Sequence, residues 1–219
     1  MSTLDTQDLG VSIANHVATV EIRRPPHNFF DISLIQQIAD TYEKLDTLTD
    51  CRSILLCAEG KNFCAGANFG ASDAGNAKDS TQGALSSDLY RQAVRIFRCR
   101  KPVVAAVQGA AIGGGLGLAV SADFRVTCPE GRFSANFTKL GFHPGFGLTY
   151  TLPALLGQQR ASLLLLTSRR IDGPQALAWG LADDCVPQEQ LRAMALALAA
   201  ELASCAPLAL MTTRATLRV

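Results

Sequence analysis

Apolar positions along the chain alternate between a period of two and a period near 3.6. Residues 11–13 and Val17–Ile22 are β-rich runs on either side of Ala14-Asn15-His16, which predicts a hairpin. Arg23-Arg24-Pro25-Pro26 ends the second strand, because proline cannot donate to a ladder. Leu34, Ile35, Ile38, Ala39, Tyr42 and Leu45 then recur at helical spacing, with Asp31 or Ser33 as N-cap. A short apolar strand over residues 54–57 runs into the loop Glu59-Gly60-Lys61-Asn62-Phe63-Cys64-Ala65-Gly66-Ala67-Asn68. Residues 70–83 are small and polar without periodicity, the pattern of a mobile surface loop. A helix over about 87–98 leads to the strand Val103–Val107, which empties into Gln108-Gly109-Ala110-Ala111-Ile112-Gly113-Gly114-Gly115 and a helix of small residues over 116–122. Phe124–Thr127 is another strand, and a second glycine-rich loop covers 141–147. The rest reads as mainly helical, with a strand near 185–186. Strands alternating with helices predict an α/β fold with a helical C-terminal third.

Composition narrows the function classes. Hydrophobic residues make up 48% and charged residues 18% of the 219, enough to bury a substantial core. The formal net charge is +1, so no global field draws the chain to nucleic acid or to an anionic membrane. The 7 cysteines form no C-x-x-C pair and read as free thiols in a reducing cytosol. The first ten residues lack the basic and apolar order of a secretion signal, and the longest apolar stretches are broken by Arg192 and Glu201. A cytoplasmic location follows as the expectation. His16, His27 and His143 are far apart with no H-x-x-x-H, so no metal site is expected.

Two strand exits carry the candidate chemistry: Ala65-Gly66-Ala67 and Gly113-Gly114-Gly115. Small residues let backbone approach a ligand closely, and a helix starting there aims free N–H groups at it. Neither loop has G-x-G-x-x-G or a P-loop, and no serine lies in G-x-S-x-G.

Together with Lys101-Pro-Val-Val-Ala-Ala-Val-Gln-Gly-Ala-Ala-Ile-Gly-Gly-Gly-Leu-Gly-Leu-Ala, Ala122-Asp-Phe-Arg, Leu140-Gly141, Pro144-Gly145 and Ala176-Leu-Ala-Trp-Gly-Leu, these loops resemble the enoyl-CoA hydratase/isomerase (crotonase) family from about residue 10 onward. The resemblance implies a crotonase-like (ClpP/crotonase) spiral of ββα units over residues 10–187. A tail over 1–9 would precede it, and a helical region over 188–219 would follow. It implies an acyl-CoA substrate whose CoA is the only cofactor-like group, and a homotrimer or hexamer. It implies that the backbone N–H groups of Ala67 and Gly114 hold the thioester oxygen, where two preorganised donors favour a developing oxyanion. Cys64, Ala65, Asn68, Phe69 and Gly113 would line the CoA path, His27, Asn28 and Phe29 would close it, and Arg23 or Arg24 could meet the ADP phosphates. Phe137, Leu140, Pro144 and Gly145 would also contact the substrate or its CoA.

The chain departs from the family where proton transfer is expected. Matched block by block, the two hydratase glutamates fall on Gly117 and Phe137, and the aspartate of other branches falls on Gly145. None of these can exchange a proton. The remaining titratable candidates are His143, whose side-chain type titrates near neutrality, and Asp73 or Asp79 if their loop folds over the site. Asp123 is expected to make a structural hydrogen bond. Relatives continue past the end of the helix over 209–217, so a shortened C-terminal arm or an incomplete chain is expected. The first reading is an enzyme acting through an enolate, by hydration, isomerisation, decarboxylation or C–C cleavage. The rival is a CoA-thioester-binding protein without turnover, structural or regulatory. A peptidase of the related spiral fold would need a serine–histidine pair that the chain does not show.

Overall fold

Asn15 and His16 both take positive φ, 49° and 66°, as a two-residue hairpin turn requires. They fold β1 (Leu9–Ala14) antiparallel onto β2 (Val17–Ile22), from Leu9↔Ile22 to Ala14↔Val17. The turn is therefore two residues rather than three, and β1 begins inside the expected tail. The protein is described by a computed structural model covering residues 4–67 and 81–218.

All six residues of β3 (Ser53–Ala58) and all five of β4 (Val103–Val107) are buried, the mark of parallel strands covered on both faces. They continue a six-stranded sheet of order β1-β2-β3-β4-β6-β9, with β6 at Phe124–Thr127 and β9 at Asp184–Cys185. Every pairing in it after the hairpin is parallel. One face carries Val20, Ile54, Leu56, Val103, Ala105 and Val107 into the main core. There α1 (Ile32–Thr47) lays down Leu34, Ile35, Ile38, Ala39, Tyr42 and Leu45. The Asp31 carboxylate accepts from the Leu34 N–H and starts that helix. The other face, with Leu55, Cys57, Val104, Ala106 and Val126, is covered by Leu191, Ala195, Ala199 and Ala203 of α7 (Gln188–Ser204).

A second, three-stranded sheet of order β5-β7-β8 joins Ala110–Ile112, Arg132–Ser134 and Arg170–Asp172. The sequence reading missed all three strands, because three residues are too few to show a period. Helix α2 (Thr81–Phe97) starts earlier than expected, so residues 81–83 are helical, and the rest of the loop predicted over 70–83 lies outside the described residues. The remaining helices are α3 (Gly114–Ser121), α4 (Leu148–Leu156), α5 (Gln158–Thr167), α6 (Gly173–Trp179) and α8 (Pro207–Leu217). Asp123 makes the structural contacts expected of it: it accepts from the Val103 N–H at 2.8 Å and pairs with Arg214 and Arg218 of the C-terminal segment at 2.8 and 2.9 Å. Among the described residues no single helix is long and apolar enough to cross a membrane. The pair α7 and α8 meets that test together but is bent by 109°.

Candidate active site

Three stretches of irregular backbone zip together at the end of β3. The Phe63 N–H donates to the Gln108 carbonyl, the Cys64 N–H to Ala110, and the Ile112 N–H to Cys64, at 2.8, 2.8 and 3.1 Å. On the other side the Ala65 N–H donates to the His27 carbonyl at 3.0 Å and the Phe30 N–H to Gly66 at 3.1 Å. Buried amide side chains pin the crossing points. Asn28, at φ 49°, donates to the Glu59 and Asn62 carbonyls, and Gln108 donates to Ala58 and Gly60. Each satisfies backbone groups that an irregular buried segment would otherwise leave unpaired. Sequence reasoning missed Gln108 as a clamp, and also Asn62, whose side chain donates to the Pro26 carbonyl at 3.0 Å and accepts from the Ala110 N–H at 3.1 Å. Their neighbours in the glycine loops were the available signal.

The glycines are what allow this approach. A Cβ at Gly66 would stand 2.8 Å from the Ile112 carbonyl oxygen, and one at Gly115 only 2.9 Å from the Cys64 carbonyl carbon. The loop holding Ala67 and the start of α3 therefore touch directly. Phe30 lies between the two expected donors: its backbone bridges Ala67, and its ring overlaps the place a side chain at Gly114 would take. Among the described residues neither the Ala67 N–H nor the Gly114 N–H donates to another group. Gly114 opens the first turn of α3, where the N–H groups have no partner within the helix and the helix dipole is positive.

Around these amides the wall is largely aromatic, with the Asn136 Oδ1 standing 2.9 Å from a Cβ placed on Gly113. A Cβ at Gly117 would meet Phe146 Cγ and Cδ1 at 2.6 and 2.7 Å, so the Phe146 ring fills the space of a side chain at 117. Phe146 is buried at φ 54°, with its ring 6.1 Å from those of Phe30 and Phe97. Phe137 is half-buried, and its Cζ lies 3.9 Å from a Cβ placed on Gly113. A side chain at Gly145 would overlap the hydroxyl of Tyr90 on α2. Phe30, Phe146 and Tyr90 were missed as site residues, because nothing in a single sequence distinguishes a ring that fills a site from one that fills a core.

The structure gathers Cys64, Ala65, Ala67, Gly113, Gly114, Phe137 and Gly145 in this region, and His27 reaches it through its backbone carbonyl. His27 and His143 are exposed, and Leu140 is 45% exposed. The His27 ring lies 5.0 Å from that of half-buried Phe29, while Pro144 is half-buried. The Arg24 guanidinium is already paired with Asp8 at 2.7 Å and Asp31 at 2.9 Å. Arg23 pairs with Glu21 at 3.1 Å. Asn68, Phe69, Asp73 and Asp79 lie outside the described residues. Cys64 is fully buried, and burial pushes its thiol up to about 12, which keeps it protonated and non-nucleophilic near neutral pH. Among the described residues no three His, Cys, Asp or Glu side chains converge as a metal site.

A parallel sheet capped by a smaller one, with two glycine-rich strand exits packed against each other, is the architecture of a crotonase-type protein. Comparison with known proteins agrees. The family profile described as enoyl-CoA hydratase/isomerase matches residues 12–218. The chain is 35% identical over 173 residues to a protein of Mycobacterium tuberculosis named probable enoyl-CoA hydratase EchA14, covering 78% of this chain and 67% of that one. It is 33% identical over 195 residues to carnitinyl-CoA dehydratase of Citrobacter koseri, covering 89% and 74%. Among solved structures, Pseudomonas aeruginosa DspI superposes with a TM-score of 0.91 at 28% identity, covering 99% of this chain and 88% of that one. An enoyl-CoA hydratase/isomerase from Pseudoalteromonas atlantica gives 0.86 at 31%, covering 97% and 83%. The chain belongs to the enoyl-CoA hydratase/isomerase family.

Proposed function

We propose that this chain binds an acyl-CoA thioester and stabilises its enolate with the backbone N–H groups of Ala67 and Gly114, without the glutamate pair of a hydratase. The observation that carries this reading is the direct packing of the two glycine loops around Phe30, with both amides free of partners among the described residues. Charge that builds on the thioester oxygen meets two donors already in place, and each such donor contributes about 3 kcal/mol toward the transition state. The residues at 117, 137 and 145 bring no carboxylate, so a reaction needing only enolate formation fits better than one needing a steered water. Isomerisation, decarboxylation and C–C cleavage are of that kind. His143 is the imidazole of the Gly141–Gly147 loop, and His143→Ala tests whether it carries a proton. Cytoplasmic location, a trimer or hexamer, and the absence of any cofactor beyond the substrate's own CoA belong to the same reading.

The aromatic filling at Gly117 and Phe137 favours a second reading, a CoA-thioester-binding protein without turnover. One pair of measurements separates the two. Calorimetry with acetoacetyl-CoA and longer acyl-CoAs should show binding under either reading, and exchange of the substrate α-protons into deuterated water should occur only under the first. No binding to any acyl-CoA would refute both.

A further inference from the structure

With the carboxylate positions empty, the site needs another group able to hold a proton near the acyl chain, and α2 presents one. We propose that Tyr90 is a catalytic residue of this chain, whose phenolic oxygen exchanges a proton with the α-carbon of the bound thioester. This rests on the enolate reading above.

Three observations place it. The Tyr90 hydroxyl occupies the volume that a side chain at Gly145 would take, and its Cζ lies 2.7 Å from a Cβ built there. Only a residue without a side chain admits the phenol at that point. Gly145 is followed directly by Phe146, whose side chain presses on Gly117, one turn along α3 from Gly114. One turn is about 5 Å, so the segment over which the phenol sits is joined to the start of α3 through the Phe146 ring. Helix α2 itself packs on α3. Finally, the Tyr90 hydroxyl has no hydrogen-bond partner among the described residues, and the side chain is 38% exposed, so it is in reach of both solvent and site. Phe146, which follows Gly145 and lies 6.1 Å from the Phe30 and Phe97 rings, brings no polar group of its own to that point.

The step balances with solvent alone. Tyr90 first gives its phenolic proton to water. The α C–H bond breaks as its proton passes to the phenolate oxygen, and the electron pair moves onto the thioester oxygen, held by the Ala67 and Gly114 N–H groups. Return of a solvent-derived proton from Tyr90 to the α-carbon restores the thioester and the phenolate, which water reprotonates.

The test uses the full chain with acetoacetyl-CoA as probe. Removal of one general acid or base typically costs about 10²–10⁴-fold. Tyr90→Phe should therefore lower α-proton exchange into deuterated water by at least about 10²-fold, while calorimetric affinity stays within about twofold of wild type. Gly145→Ala keeps the hydroxyl but adds a methyl in its place, and should also slow exchange while leaving binding measurable. Wild-type exchange in a folded Tyr90→Phe protein overturns the proposal and leaves the enolate reading intact. Binding without any wild-type exchange overturns it as well. Absence of acyl-CoA binding by the wild type would instead remove the enolate reading itself.

Discussion

If Phe146 fills the space of a side chain at 117, adding one methyl there should be costly, and the cost should depend on Phe146. In Gly117→Ala the methyl would stand 2.6 and 2.7 Å from Phe146 Cγ and Cδ1, about 1 Å inside ordinary carbon–carbon contact. The ring cannot retreat easily, because it is 3% exposed and wedged 6.1 Å from each of two other rings. Two effects oppose each other. Alanine is favoured over glycine inside a helix by about 1 kcal/mol, whereas overpacking a core costs about 1–3 kcal/mol. The net expectation is a loss of about 0–2 kcal/mol, or up to about 8 °C in Tm for a chain of this size.

That net value alone decides little, so the informative quantity is the coupling. Phe146→Ala should cost about 3–5 kcal/mol by itself through the cavity it leaves. In the double variant the methyl enters that space, so the two costs should sum to less than their separate values, by about 0.5–3 kcal/mol. Urea titrations of the four proteins, with unchanged m-values, would measure it. Additivity within about 0.5 kcal/mol would mean that the ring and residue 117 do not share a volume. The same logic predicts that Gly117→Glu alone gains no hydratase activity, since its carboxylate has no room while the ring is in place.

Other consequences are direct. Crotonyl-CoA hydration by the wild type should lie near background, because two groups each worth about 10²–10⁴-fold are absent; efficient hydration in a coupled spectrophotometric assay would show that carboxylates reach the site from elsewhere. Alkylation followed by peptide mass spectrometry should label exposed Cys205 first, while Cys57, pushed by burial to about 11, and Cys64 and Cys99, pushed to about 12, stay unlabelled in the native protein. Acid should weaken the fold below about pH 4, the ordinary carboxylate range. Hydrogen bonding from Arg24 holds Asp8 low, and on Glu21 the pull of Arg192 and Arg23 outweighs burial. A carboxyl depressed in the folded state adds stability that is complete above its unfolded pKa and is lost as pH falls through the folded one. Thermal melts of Asp8→Asn should therefore show a shallower fall over that interval than the wild type, and an identical profile would remove Asp8 from the account.

How much of this was legible depended on whether the information was local. The hairpin at Asn15-His16, the buried stripe of α1, and β4 and β6 with their limits all follow from period and turn chemistry. The two glycine loops were readable as candidate ligand-facing backbone because glycine at a strand exit is a local signal. Strands β5, β7 and β8 were not visible, since each is held by pairing with chain 20 or more residues away rather than by its own pattern. The absence of carboxylates at 117, 137 and 145 was readable, but what stands in their place was not. That Phe146 lies over Gly117 and Tyr90 over Gly145 is a property of packing between distant segments.

Gly117 and Gly145 are better understood together than separately. A glycine inside α3 is about 1 kcal/mol less favourable than alanine, so its presence there calls for a packing reason. Glycine at 117 makes sense because a ring now uses the volume, and glycine at 145 because a phenol does. Phe146 links the pair: it follows Gly145 in the chain, covers Gly117, and packs on the Phe30 ring that lies against Gly114. Changing any member should therefore be felt at the others. Under the proposed enolate reading, the rings of Phe30, Phe137 and Phe146 beside these loops lower the local dielectric, which strengthens the hold of two backbone amides on an oxyanion. Under the proposed function, that arrangement favours chemistry carried out on the enolate over the addition of water.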